Sequence, residues 1–109
     1  MLKVEVVLDE EKILREGKYT PEKLWSTVDK MYVGNGMLKL SKGVYRDAGR
    51  DCDWGLFGRI NIALEQCGWF MENVKSWHWY NSDNGKDEDD FTVEDIIFEF
   101  SEYNRKHAK

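Results

Sequence analysis

The sequence predicts an α+β domain, with three main helices packed on a small antiparallel or mixed sheet of three to four strands. Three observations carry this. Stretches of two-residue alternation and of 3.6-residue periodicity occupy separate blocks of the 109 residues. The blocks are divided by cap and turn residues, most plainly Thr20-Pro21 and Gly34-Asn35-Gly36. Four of the five tryptophans fall between Trp54 and Tyr80, a stretch against which the remainder must pack.

Leu2 to Leu8 reads as a first strand, with Leu2, Val4 and Val6 on one face and Lys3 and Glu5 on the other. Val7 and Leu8 break the alternation, which suggests that both faces are partly covered. Asp9 to Glu16 carries Ile13 and Leu14 amid charge, a short helix that Gly17 can close. Thr20 caps the next helix and Pro21 starts it, at a position where a missing N–H costs nothing. Leu24, Trp25, Val28, Met31 and Tyr32 extend an apolar stripe through residues 21–33. After the turn at 33–36, Met37 to Leu40 and Gly43 to Arg46 form two short strands joined through Ser41-Lys42-Gly43. Residues 47–53 are polar and read as a loop.

Phe57, Ile60, Leu64 and Cys67 recur at steps of three and four, predicting a helix over 54–67 with Asp53 as its cap and Gly68 as its stop. Gly55 and Gly58 each cost such a helix up to about 1 kcal/mol against alanine. Packing against another element is the reading favoured for them over ligand binding, because no phosphate-loop pattern accompanies them. Residues 69–80 fit two periods. Val74, Ser76, His78 and Tyr80 alternate with Lys75, Trp77 and Trp79, whereas Phe70, Val74 and Trp77 also fit a helical stripe. Their aromatic and β-branched content favours a strand. Residues 81–90 read as an exposed loop, and Thr92 caps a last helix over 93–105 in which Val93, Ile96, Ile97, Phe100 and Tyr103 or Asn104 keep helical spacing.

A chain of this length is one domain, residues 1–109, able to bury roughly two-thirds of its unfolded surface, so the fold is expected to need neither disulfide nor metal. No basic stretch followed by an apolar run opens it and no 18-residue apolar run occurs, which points to the cytoplasm, with Cys52 and Cys67 reduced and no membrane contact. The net charge of −5 lies at one end. Residues 1–80 hold 12 acids and 12 bases, while residues 81–109 hold 9 acids and 4 bases. Without a basic face, direct nucleic-acid binding is not expected.

Three groups of residues could carry chemistry. Asp51, Cys52, Asp53, Cys67 and His78 are the only set from which a metal or thiol site could be assembled. The cysteines lie 15 apart with no close ligand pair, so a core thiol at Cys67 is the favoured account. A Cys52–His78 catalytic pair has no support in the sequence. Asp83, Asp87, Glu88, Asp89, Asp90 and Glu94 invite comparison with an EF-hand loop. Counting from Asp83, however, puts Gly85 in the third place and Glu88 in the sixth, where the turn demands glycine. A solvated acidic loop fits better. Trp69, Trp77, Trp79 and Tyr80 either build the core or, where exposed, a recognition surface.

The expectation is a small, acidic, soluble domain without cofactor that binds a protein partner or itself. Its candidate contacts are Trp77 and Trp79 on the aromatic strand and Asp87, Glu88, Asp89 and Asp90 beside it. The alternatives are an acidic decoy that inhibits a nucleic-acid-binding protein and a small enzyme whose nucleophile and base the sequence does not reveal.

Overall fold

Strand β1 (Leu2–Leu8) is the middle of a five-stranded antiparallel sheet, and the computed structural model describes residues 2–81 and 92–107 around it. The strand order is β2-β3-β1-β4-β5, with β2 Leu38–Ser41, β3 Val44–Arg46, β4 Val74–Asn81 and β5 Thr92–Asp95. Five helices are described: α1 Glu10–Glu16, α2 Pro21–Val33, α3 Asp53–Glu65, α4 Gly68–Asn73 and α5 Ile96–His107. The three expected main helices are the longest of them, and the described sheet has five strands rather than three or four.

Residues opposed across antiparallel strands share a face. Val4 therefore sides with Tyr45 on β3 and Trp79 on β4, and Val6 with Trp77. This is the core face, where Val4, Val6, Leu8, Tyr45 and Trp77 are buried with Phe57, Ile60 and Leu64 of α3 and Val28 and Tyr32 of α2. The other face carries Lys3, Glu5, Val7, Val44, Arg46, Ser76, His78 and Tyr80, none of them buried. Apart from Val7, which is exposed, these residues are half-buried, so the second face is covered only in part. Leu8 keeps the alternation, and the irregularity lies across from it, where β4 bulges at Lys75.

Local chemistry explains most boundaries. The Thr20 hydroxyl accepts from the Lys23 N–H and Pro21 opens α2, while Gly17 closes α1 in the left-handed region at φ 68°. Gly43 holds the β2–β3 turn at φ +79°, because a Cβ there would meet the Val6 carbonyl oxygen at 2.2 Å and the Trp25 ring at 2.9 Å. Two boundaries depart from expectation. Asp53 is the first residue of α3 and not its cap. Its carboxylate turns back to accept from the N–H groups of Ala48 (2.8 Å) and Arg50 (3.1 Å) and from Arg50 Nε (2.8 Å), tying down the preceding loop. The last helix starts at Ile96, capped by Asp95, whose Oδ1 accepts from the Phe98 N–H, and the segment around Thr92 pairs with β4 as β5.

Candidate functional site

Helix α3 has two adjoining stripes. Phe57, Ile60 and Leu64 enter the core, whereas Trp54, Gly58, Asn61, Ile62 and Glu65 look into a cleft of about 750 Å³. The opposite wall is α5, through Ile96, Glu99, Phe100, Tyr103 and Asn104 at the i, i+3, i+4, i+7, i+8 spacing of one helical face. Trp79 lies between the two walls, with its cross-strand neighbour Glu94 beside it.

The walls are aromatic. Trp54 meets Trp79 edge to face, centroids 6.0 Å apart and planes at 89°, and Trp79 meets Phe57 in the same manner at 5.1 Å. Trp54 is 60% exposed, Tyr103 58% and Ile62 50%, so a large share of the cleft's apolar lining faces water. Gly58 keeps it open: a Cβ built there meets nothing within 4 Å. The same holds at Gly55, and this overturns the packing explanation for the glycine pair.

The charge in the cleft has one sign. Glu65, Glu94 and Glu99 line it, and among its described lining residues there is no Lys, Arg or His. Burial, then the charge of Glu94 and a hydrogen bond to it, then the charge of Asp95, hold the Glu99 carboxyl above its ordinary value. Glu65 sits in the last turn of α3, which carries no basic residue, so its charge adds to the negative end of the helix dipole. Asn104 Nδ2 donates to Glu65 Oε1 at 3.3 Å, leaving the amide oxygen of Asn104 as a further acceptor.

A buried polar chain backs the site. Trp77 Nε1 donates to the Tyr32 hydroxyl at 3.3 Å, and that hydroxyl donates to Asn61 Oδ1 at 2.7 Å, on the cleft wall. Burial pushes the Tyr32 phenol far above its usual range, so it remains a neutral donor. Tyr45 stacks on Tyr32 at 4.6 Å and donates to Asp29. The Trp77–Tyr32–Asn61 chain thus ties α3, which carries Trp54 and Gly58, to α2 and β4.

The residues anticipated from sequence divide. Trp77 is fully buried, between Phe70 at 4.8 Å and Phe100 at 5.8 Å, and offers no surface to a partner. Its place as a contact residue is corrected, because β4 turns the 77/79 pair toward the helices and 78/80 toward the open face. Trp79 is half-buried and reaches the cleft. Asp87, Glu88, Asp89 and Asp90 lie outside the described residues, as does most of the EF-hand comparison. Cys52 precedes α3 and Cys67 follows it, at opposite ends of a 13-residue helix, and His78 is on the far face of the sheet, so no joint site forms from them. Among the described residues no three His, Cys, Asp or Glu side chains are grouped to hold a metal, and no helix is long and apolar enough to cross a membrane. Sequence reasoning missed Glu94, Glu99 and Trp54 as neighbours. The available signal was Trp54 and Ile62, two large apolar residues off the core stripe of α3, eight apart with a glycine midway.

No protein-family model matches the chain, and no curated protein is similar to it. The class that fold and site define is an α+β domain with an open, acidic, aromatic-walled cleft between two helices.

Proposed function

We propose that the protein is a non-catalytic binding domain that takes a basic segment of a partner protein into the cleft between α3 and α5. The observation that carries this reading is the composition of the walls: aromatic faces alternate with Glu65, Glu94 and Glu99, and no charged donor stands among the described lining residues. A lysine or arginine side chain has an apolar stem for the indole and phenyl surfaces and a cationic head for the carboxylates. Such a head supplies the positive charge that the described lining residues do not bring to Glu94 and Glu99. Residues 81–109, which hold the entire net charge of −5, contribute both members of that pair, and the remaining acids of this segment extend the field that steers a basic partner inward. Trp79 and Asp87 to Asp90 keep the roles of contact and steering residues in this proposal.

Chemical-shift mapping with a dodecapeptide of mixed lysine, arginine and leucine tests it. Perturbed resonances should cluster at the Trp54 and Trp79 indoles, Gly58 and residues 94–104. Shifts confined to the opposite sheet face, around His78 and Tyr80, or no shifts at millimolar peptide, would refute it.

A further inference from the structure

Resting on that reading, we infer that the side chain the cleft selects is arginine rather than lysine. Glu94 projects on the same sheet face as Trp79, its directly opposed partner, and Glu99, in the first turn of α5, lines the same cleft. Two carboxyl groups lining one cleft offer oxygens in several directions, and the Asn104 amide oxygen is a further acceptor on its wall. An ammonium has three donors on a compact, strongly hydrated head, and it would surrender water on entering between aromatic walls. A guanidinium is planar, less strongly hydrated, and presents five donors in a fixed fork, so it can serve both carboxylates while lying flat.

The walls suit a plane. Trp54 and Trp79 stand perpendicular with centroids 6.0 Å apart, and Trp54, at 60% exposure, keeps much of its indole in water. A guanidinium stacks on such an indole face and keeps its N–H edge free for the carboxylates beside Trp79. Gly58, one helical turn from Trp54, has no side chain to obstruct that approach.

Hexa-arginine, hexa-lysine and hexa-citrulline peptides, titrated calorimetrically into the full chain, test the inference. The first two have equal charge, and the third keeps the shape of arginine without it. Expected is hexa-arginine binding at least about tenfold tighter than hexa-lysine, with hexa-citrulline bound weakest. Gly58→Leu, which leaves the net charge untouched and favours helix, should remove most of the arginine advantage. Glu99→Gln should weaken hexa-arginine by about tenfold. Equal affinities for the two cationic peptides, both lost in Gly58→Leu, would overturn the choice of arginine and leave the basic-segment reading standing. An arginine advantage that persists in Gly58→Leu would place it outside the cleft and overturn the inference. Binding of neither peptide would overturn both.

Discussion

Gly43 and Gly58 differ in what their missing side chains do. At Gly43 the backbone is left-handed and the Val6 carbonyl stands 2.2 Å from where a Cβ would lie, so Gly43→Ala must open the β2–β3 turn. The left-handed penalty alone is about 1–2 kcal/mol, and displacement of the Val6–Gly43 hydrogen bond adds to it. A fall in Tm of roughly 10 °C or more is expected by calorimetry. At Gly58 the helix is ordinary and the space empty, so Gly58→Ala should stabilise by about 0.5–1 kcal/mol. Asp53 shows a third kind of dependence. Burial works to raise its carboxyl, but the hydrogen bonds from the Arg50 side chain, from the Arg50 and Ala48 N–H groups, and the Arg50 charge outweigh it and hold the group below its ordinary value. A lowered folded-state value means stability that is complete above the ordinary aspartate range and lost as pH falls through the lowered one. The wild-type advantage over Asp53→Asn in denaturant melts should therefore be full at pH 6 and shrink below about pH 4. Asp53→Ala, which orphans two N–H groups as well, should cost about 2 kcal/mol.

Helix α5 and the strand before it show how far the sequence is legible at the scale of elements. The apolar stripe Ile96, Phe100 and Tyr103 was readable, and so was the strand period at Val74 to Tyr80. Residues 69–80 gave two periods because they contain two elements: α4 ends at Asn73, where its side chain returns to the Trp69 carbonyl, and β4 starts at Val74. Thr92-Val93-Glu94-Asp95 satisfies the local rules for a helix start, with a hydroxyl cap and acids in the first turn. Pairing with Asn81 to His78 overrides those rules, a tertiary preference that no local pattern encodes. The cleft was hidden for that reason. It requires Glu94 on a strand beside Trp79 and Glu99 on the following helix. Because Glu99 holds its proton more tightly in the folded state, folding loses stability as pH rises from the ordinary glutamate range through the raised value. Glu99→Gln should consequently melt higher than wild type at pH 7.5, and the gain should vanish near pH 4. A variant that melts lower at pH 7.5 would show the pair to be stabilising, contrary to the account.

Across the whole molecule, charge and apolar surface are distributed differently from one another. The core gathers on one face of the sheet, and the excess acid is concentrated in residues 81–109. That asymmetry was readable from composition; its convergence with aromatic walls was not, because it depends on α3 and α5 meeting across Trp79. If steering and capture are separate functions, two variants should separate them. Converting Asp87, Glu88, Asp89 and Asp90 to Asn or Gln removes long-range attraction and should lower the association rate and flatten its salt dependence. Gly58→Leu fills the cleft without altering charge and should raise the dissociation rate. The most direct measurement is stopped-flow tryptophan fluorescence of both variants with the mixed basic dodecapeptide at two salt concentrations. Expected are slower association with near-normal dissociation in the charge variant, and dissociation faster by about tenfold or more in Gly58→Leu at unchanged salt slope. Wild-type dissociation kinetics in Gly58→Leu would contradict capture in the cleft.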